Sequence, residues 1–372
     1  VSGRSGPVGI GIIGAGVISS QYLTNLLKFP DLHVLFVADL DVDRARAQAE
    51  LYGVPRHGSV GELLANDDLE IVINLTIPAA HAEVSQQIVA AGKHVWSEKP
   101  LSLDRESARS LLDAAIARGV RVACAPDTFL GGGLQATQRL LHSGRIGAVV
   151  SALAIFQSPG PESWHPNPEF LFDVGAGPLF DVGPYYITAL VQQLGPVRKV
   201  NGVASTARPT RTIGSGPRAG TVFPVTAPSQ HVALLSFESG ATAVLVTSFD
   251  SEIARTTIEY TGTQGAVQSP DPNQFGGTVI VHTPGSRGPE VIQSEEAGYG
   301  RGLGVLDLAR SIRSGTPERA SGELAFHVLD VMVSVAESAM LGAPVDVLSA
   351  AKSPAPLPDG WDPSISTLRG AV

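Results

Sequence analysis

The stretch VGIGIIGAGVISSQYLTNLLKF, residues 8–29, decides the fold, and its reading turns on register. The pattern G-x-G-x-x-G is satisfied at Gly9, Gly11 and Gly14. A dinucleotide-binding turn, however, must follow a strand and open a helix, because the pyrophosphate rests on the helix N-terminus. Starting the turn at Gly9 leaves GRSGPV (3–8), with two glycines and a proline, as the preceding strand. Starting it at Gly14 makes VGIGII the strand and ISSQYLTNLLKF the helix. The turn is therefore GAGVIS (14–19). Gly14 makes the tight turn and Gly16 lets the backbone approach the diphosphate. Val17 and Ile18 follow, and Ser19 fills the third small position. Gly9 and Gly11 then belong to the strand, where neighbouring groups crowd close.

The second half of the fingerprint agrees. HVLFVAD (33–39) ends at Asp39, 20 residues after Ser19, where a carboxylate accepts hydrogen bonds from the adenosine ribose. A carboxylate there repels a 2′-phosphate, so the expected cofactor is NAD, preferred over NADP. Arg44, one helical turn on, reads as a solvated helix residue.

Around this motif the first 125 residues alternate short apolar runs with helical periodicity. VGIGII, HVLFVAD, EIVINLT (70–76), HVWSE (94–98) and VRVACA (120–125) read as buried parallel strands. Three intervening helices run into Gly53, Gly92 and Gly119, which suit left-handed caps. The rhythm predicts a doubly wound α/β domain over 1–125. From 126 to 372 the pattern predicts an α+β domain for substrate binding and oligomerisation. It starts with a helix near 133–143, then AVVSALAIF (148–156), a hairpin about Gly240, RTTIEYTG and GTVIVHT form a large, mostly antiparallel sheet. Helices at 304–314 and 323–341 complete it. Two Gly/Pro-rich stretches (158–168 and 207–229) interrupt the sheet, and SPAPLPDGWDPS (353–364) reads as an extended, loosely held tail.

Bulk composition narrows the function. A net charge of −9 argues against nucleic acid or an anionic membrane as the main partner. No window reaches the length of uninterrupted apolar residues that a membrane span needs. No basic segment followed by an apolar core opens the chain, so no signal peptide is expected. The single cysteine, Cys124, excludes an internal disulfide and a cysteine-based metal site, and the histidines lack metal spacing; no metal is expected. A cytoplasmic location fits a reducing compartment.

The glycine turn, Asp39, NLTIPAAHAEV (74–84), AGKHVWSEKP (91–100) and GAGPLFDVGPYY (175–186) occur in the order and spacing of the Gfo/Idh/MocA oxidoreductases, and the chain resembles that family over nearly its whole length. The resemblance implies a Rossmann domain followed by an α/β domain whose open sheet forms a subunit interface, giving a homodimer or homotetramer. It implies that Thr76 and Pro78 line the nicotinamide end with His81 nearby; a capping role for His81 at a helix start is the open alternative. Strand ends deliver Glu98 and Lys99 to the cofactor's edge, and Pro100 restricts Lys99 to an extended conformation. The family's second signature ends in D-x-G-x-H. Here it reads Asp181, Gly183, Tyr185, with tyrosine replacing histidine as in the branch of glucose–fructose oxidoreductase and dihydrodiol dehydrogenase. Asp181 and Tyr185 are four apart and would face the same way on one helix; a capping aspartate and core tyrosines are the alternative.

The implied chemistry moves a proton as a hydride moves. Lys99, Asp181 and Tyr185 are the candidate catalytic residues. The ammonium of Lys99 would favour a phenolate on Tyr185 and hold the substrate oxygen, while Asp181 would accept a second hydroxyl. Asp127, beside Thr128 at the end of the fifth strand, and Trp164 and His165 in the first Gly/Pro-rich stretch, are further substrate candidates. His165 is also a possible base, and ordinary loop packing is the alternative for both Trp164 and His165. The expected activity is NAD(P)-dependent oxidation or reduction of a secondary alcohol or carbonyl on a sugar, cyclitol or related polyol. No strong cationic cluster marks a phosphate pocket, so a neutral or mildly modified sugar is expected. Two other readings stay open: an enzyme that retains NAD and uses transient oxidation for a non-redox step such as glycoside cleavage, and a non-catalytic NAD(H)-binding sensor.

Overall fold

The computed structural model describes residues 5–294 and 298–368. Contacts divide the chain into two compact units. The first contains the chain up to Gly131, Gly298–Phe326 and the segment from Pro354; the second contains the chain between Gly132 and Gly298 together with His327–Ser353.

The first unit is built on a six-stranded parallel sheet. Its strands are β1 (Val8–Ile13), β2 (Leu32–Ala38), β3 (Arg56–Gly58), β4 (Ile71–Asn74), β5 (His94–Ser97) and β6 (Val122–Cys124), in the order β3-β2-β1-β4-β5-β6. Chain order reverses between β1 and β4, the switch point at which doubly wound sheets bind ligands. The central strands are covered on both faces, and every residue of β1 and β4 is buried. The helices α1 (Val17–Leu26), α2 (Val42–Tyr52), α4 (His81–Ala90) and α5 (Arg105–Arg118) follow the periodicity of the sequence, and the short α3 (Val60–Leu64) adds to them. Asp41, Ser59 and Asp104 cap α2, α3 and α5 through their side chains. The short edge strand β3 is an addition to the five strands read from hydrophobicity; only one of its three residues is buried.

The register at the glycine turn is the one starting at Gly14. Gly9 lies inside β1, and a Cβ there would collide with the Asp68 carbonyl oxygen. Gly14 has φ +105°, and a Cβ on it would stand 2.6 Å from the Leu75 carbonyl oxygen.

The boundary expected near residue 126 needs correction. Helix α9 (Leu303–Ser314), read from sequence as part of the second domain, belongs to the first unit. Arg310 donates to Asp31 at 2.9 Å, and Arg313 forms a bidentate pair with Glu70 at 2.9 and 2.6 Å. The tail is likewise held. Arg310 donates to the Asp362 carbonyl (3.1 Å) and lies over the Trp361 ring, and Arg319 reaches the Ala355 carbonyl (3.0 Å). These ties span up to hundreds of residues, so no local pattern announces them.

The second unit carries a nine-stranded sheet. Its strands are β7 (Val149–Gln157), β8 (Val197–Ser205), β11 (Gln230–Phe237), β12 (Thr242–Ser248), β13 (Arg255–Gly262), β14 (Gly265–Ser269), β15 (Gly277–His282), β16 (Glu290–Ser294) and β17 (Val345–Asp346). A separate two-stranded ribbon pairs β9 (Thr210–Thr212) with β10 (Val222–Pro224). The main sheet runs β16-β15-β14-β13-β7-β12-β11-β8-β17 and is antiparallel except for the β7–β12 pair. Helices α6 (Gly132–His142), α7 (Gly177–Asp181) and α8 (Gly183–Leu194) pack on it, as does α10 (Gly322–Leu341) from His327 onward. On β11 the alternation is clean: His231, Ala233, Leu235 and Phe237 are buried, while Leu234 is 56% exposed. One face of this sheet is therefore covered by helices and the other is open.

Candidate functional site

At the C-terminal edge of the parallel sheet the turn after β1 opens α1. Gly16 is the N-cap of α1, and no side chain caps that end. Among the described residues, a Cβ on Gly16 would meet nothing within 4 Å, which leaves open space at the helix N-terminus. The first-turn N–H groups and the helix dipole thus face a space suited to an anion. Val17 is exposed and Ile18 half-buried. Ser19 is buried; its hydroxyl donates to the Gly16 carbonyl (2.6 Å) and accepts from Gln48 (3.0 Å). Small size and a hydroxyl partner together explain serine at the third position.

Asp39 follows β2 and accepts from the Ala15 N–H (2.7 Å) and the Asp41 N–H (2.9 Å). Burial pushes its pKa up, but Arg44 and these two N–H groups outweigh that and hold the carboxyl below its ordinary value. Arg44 is not simply solvated, as the sequence suggested. Its guanidinium pairs with Asp39 at 2.6 Å, because position 44 lies just one turn into a helix capped by Asp41.

β4 and β5 deliver the next group. Thr76 is half-buried, and its N–H (3.2 Å) and hydroxyl (2.7 Å) both donate to Asn74 Oδ1. Pro78 opens a short 3-10 turn leading into α4. Lys99 is half-buried at the end of β5, and the Lys99–Pro100 bond is cis.

Three expected contacts acquire different roles. Glu98 is 8% exposed, and its oxygens accept from the Tyr22 hydroxyl (2.8 Å) and the Lys99 N–H (3.0 Å). It steadies the backbone that carries Lys99. His81 is 1% exposed, with both ring nitrogens against main-chain carbonyls, so neither the nicotinamide contact nor simple capping describes it. Asp127 has no exposed surface, and its Oδ2 accepts from the Gly302 (2.8 Å) and Gly304 (3.0 Å) N–H groups. Instead of meeting a substrate, it caps α9 across the sequence. Burial raises its pKa, and the Glu98 carboxylate adds to that, against the two N–H groups and Arg301. Sequence reading passed over Tyr22 and Asn74. Tyr22 joins Glu98 to Trp96, whose Nε1 donates to its hydroxyl at 3.0 Å. A polar Asn74 ending a buried apolar strand was the available signal.

In the second unit, Asp181 is half-buried at the end of α7 and Tyr185 is buried in the first turn of α8. They do not share one continuous helix. The break falls at Val182, because Pro184 has no N–H to continue α7 and its ring would clash with the carbonyl four residues earlier. Gly177, in the same motif, has φ +82°, and a Cβ on it would stand 2.6 Å from the Pro228 carbonyl oxygen.

Trp164 is 67% exposed, and His165 lies edge-on to both Trp164 and Phe170 at 5.5 Å. The loop beneath is fixed by the buried Arg211, which pairs with Glu162 and Asp250 and donates to the Pro159 and Phe249 carbonyls, both at 2.9 Å. The two Gly/Pro-rich stretches are thus packed together, a pairing that composition alone did not predict.

Comparison with known proteins gives a consistent assignment. Residues 8–125 match the profile described as an oxidoreductase family with an NAD-binding Rossmann fold, and residues 134–268 match the GFO/IDH/MocA C-terminal domain. The chain is 33% identical over 195 residues to dTDP-3,4-didehydro-2,6-dideoxy-alpha-D-glucose 3-reductase of Streptomyces antibioticus, covering 50% of this chain and 56% of that protein. It is 26% identical over 344 residues to D-xylose 1-dehydrogenase (NADP(+)) 2 of Haloferax volcanii, covering 91% and 99%. The chain spans a little over half the length of the curated relatives it matches at more than 30% identity. Levoglucosan dehydrogenase in complex with NADH and levoglucosan superposes with a TM-score of 0.81, covering 92% of this chain and 100% of that one, at 20% identity. That likeness is one of fold.

Proposed function

We propose, from the premise that this chain belongs to the Gfo/Idh/MocA oxidoreductase family, that it is an NAD(P)-dependent dehydrogenase or reductase acting on a secondary alcohol or carbonyl of a sugar, cyclitol or related polyol. The observation that carries this reading is the cradle at the sheet edge. A helix N-terminus without a side-chain cap, open space at Gly16 and the Asp39 carboxylate held at Ala15 fit a dinucleotide. Gly14, Gly16, Val17 and Ile18 would hold its diphosphate, Asp39 its adenosine ribose, and Thr76, Pro78 and Lys99 its nicotinamide end. Bound there, the nicotinamide supplies or accepts the hydride.

The chain's own residues supply the rest. Lys99 holds the substrate oxygen, Asp181 accepts a second hydroxyl, and Lys99 or Tyr185 takes the hydroxyl proton in oxidation or returns it in reduction. Trp164 and His165 offer a ring face to a sugar's C–H face. NAD is the preferred cofactor because the Asp39 carboxylate repels a 2′-phosphate. Arg44 narrows that preference, since it can leave Asp39 to meet the phosphate. The relatives' names as dehydrogenases and reductases favour net redox chemistry over the retained-cofactor and sensor readings. The open face of the nine-stranded sheet, with Val203 and Leu234 exposed at 64% and 56%, suits pairing with a second copy in a homodimer or homotetramer. A cytoplasmic location fits the single cysteine, which is buried.

The test is a titration with NADH and NADPH followed by a sugar and polyol panel read by NADH absorbance. NADH is expected to bind more tightly, Arg44→Ala to widen the gap, and Lys99→Ala to abolish turnover while retaining NADH. Absence of dinucleotide binding, or full turnover in Lys99→Ala, would refute the reading.

A further inference from the structure

His81 is the first residue of α4, and its imidazole touches two strand ends at once. Nδ1 is 2.7 Å from the Pro100 carbonyl oxygen, in the turn after β5. Nε2 is 3.0 Å from the Thr76 carbonyl oxygen, in the turn after β4. The residue's own carbonyl accepts from Asn74 Nδ2 at 2.9 Å, while Asn74 Oδ1 gathers the N–H and hydroxyl of Thr76. A histidine that merely capped α4 would need one nitrogen and no reach to β5. A histidine that bound a ligand would keep a nitrogen for it. Here each nitrogen faces a main-chain carbonyl.

We infer that His81 is a positioning residue, a clasp that holds the Thr76 turn against the Lys99–Pro100 turn and so fixes the nicotinamide half of the dinucleotide site without touching the adenosine half. The inference rests on the dinucleotide reading of this unit. Both partners of the ring are acceptors. A neutral imidazole donates to one of them at a time, and only the protonated ring donates to both. Burial, with Lys99 adding to it, holds the pKa below its ordinary value against the two carbonyls and the Glu98 carboxylate, so the neutral ring donates to one turn while its other nitrogen lies against the second. The adenosine side depends on Gly14, Gly16 and Asp39, which hydrogen-bond to other residues.

The test compares two ligands by calorimetry: NADH, and ADP-ribose, which shares the adenosine half but lacks the nicotinamide. For His81→Ala the clasp predicts NADH affinity weakened about tenfold, the scale of a lost buried hydrogen bond, with ADP-ribose affinity unchanged. His81→Gln, which keeps N–H donation from a single nitrogen and most of the volume, should fall between wild type and His81→Ala. Equal weakening of both ligands in either variant, or weakening of neither, overturns the clasp. Should His81→Ala not fold, the ratio in His81→Gln decides alone. Wild-type chain that binds neither ligand overturns the dinucleotide reading, and the clasp with it.

Discussion

Gly14 shows how much a single residue decides. Its positive φ and the 2.6 Å approach of the Leu75 carbonyl leave no place for a side chain, so this turn is available to glycine alone. Gly14→Ala is expected to cost about 2 kcal/mol of stability through strain and clash, and to abolish NADH binding. Thermal unfolding and a binding titration check both; a variant that melts and binds like wild type would remove the basis for this register. Asp39 was legible as an acid after a strand because the spacing is local. Its pairing with Arg44 was not, because which way a half-exposed arginine turns depends on the carboxylate it meets in space.

At the level of elements, periodicity located the helices and most strands well, since burial on one face or both writes a period into the sequence. Strand β3 was missed because a short edge strand has little burial to impose a pattern. The helix expected to join Asp181 to Tyr185 was broken by Pro184, a signal visible in the sequence and overridden there by the four-residue spacing. Helix α9 shows the opposite limit. Its N-terminal N–H groups are satisfied by Asp127, 175 residues earlier, so no local cap precedes it. Asp127→Ala should destabilise the chain by about 1–2 kcal/mol, and Asp127→Asn, which keeps an acceptor, by less. Amide exchange in the first turn of α9 and urea unfolding report the two effects. Unchanged protection in Asp127→Ala would reject the capping role.

For the whole molecule, three histidines, His94 partly buried and His231 and His327 buried, link folding to pH. Burial holds His94, in the first unit, and His231 and His327, in the second, down to about 4. His94 Nδ1 accepts from the Arg121 N–H and His327 Nε2 from the Val197 N–H, so each needs its lone pair. In the unfolded chain these rings take up protons near pH 6.5. The unfolded state therefore binds more protons between pH 6.5 and 4. The stability contributed by the neutral rings is complete above that window and falls as pH drops through it. Each such proton steepens the slope by about 1.4 kcal/mol per pH unit. The urea midpoint should fall clearly from pH 7 to pH 5, and an unchanged midpoint would contradict the burial of neutral rings.

The sequence by itself determined the parallel sheet, the turn at Gly14, the acid at Asp39 and the motifs around Lys99 and Asp181, because each is set by steric or periodic rules acting over a few residues. Tertiary structure alone decided that α9 and the tail belong to the first unit, and that Glu98, His81 and Asp127 face inward as supports. Carboxylates and imidazoles at strand ends look alike in sequence whether they meet a ligand or a backbone group. Only the fold shows which N–H or carbonyl lies within hydrogen-bonding distance, and a buried polar side chain is committed to that partner by the cost of leaving it unpaired.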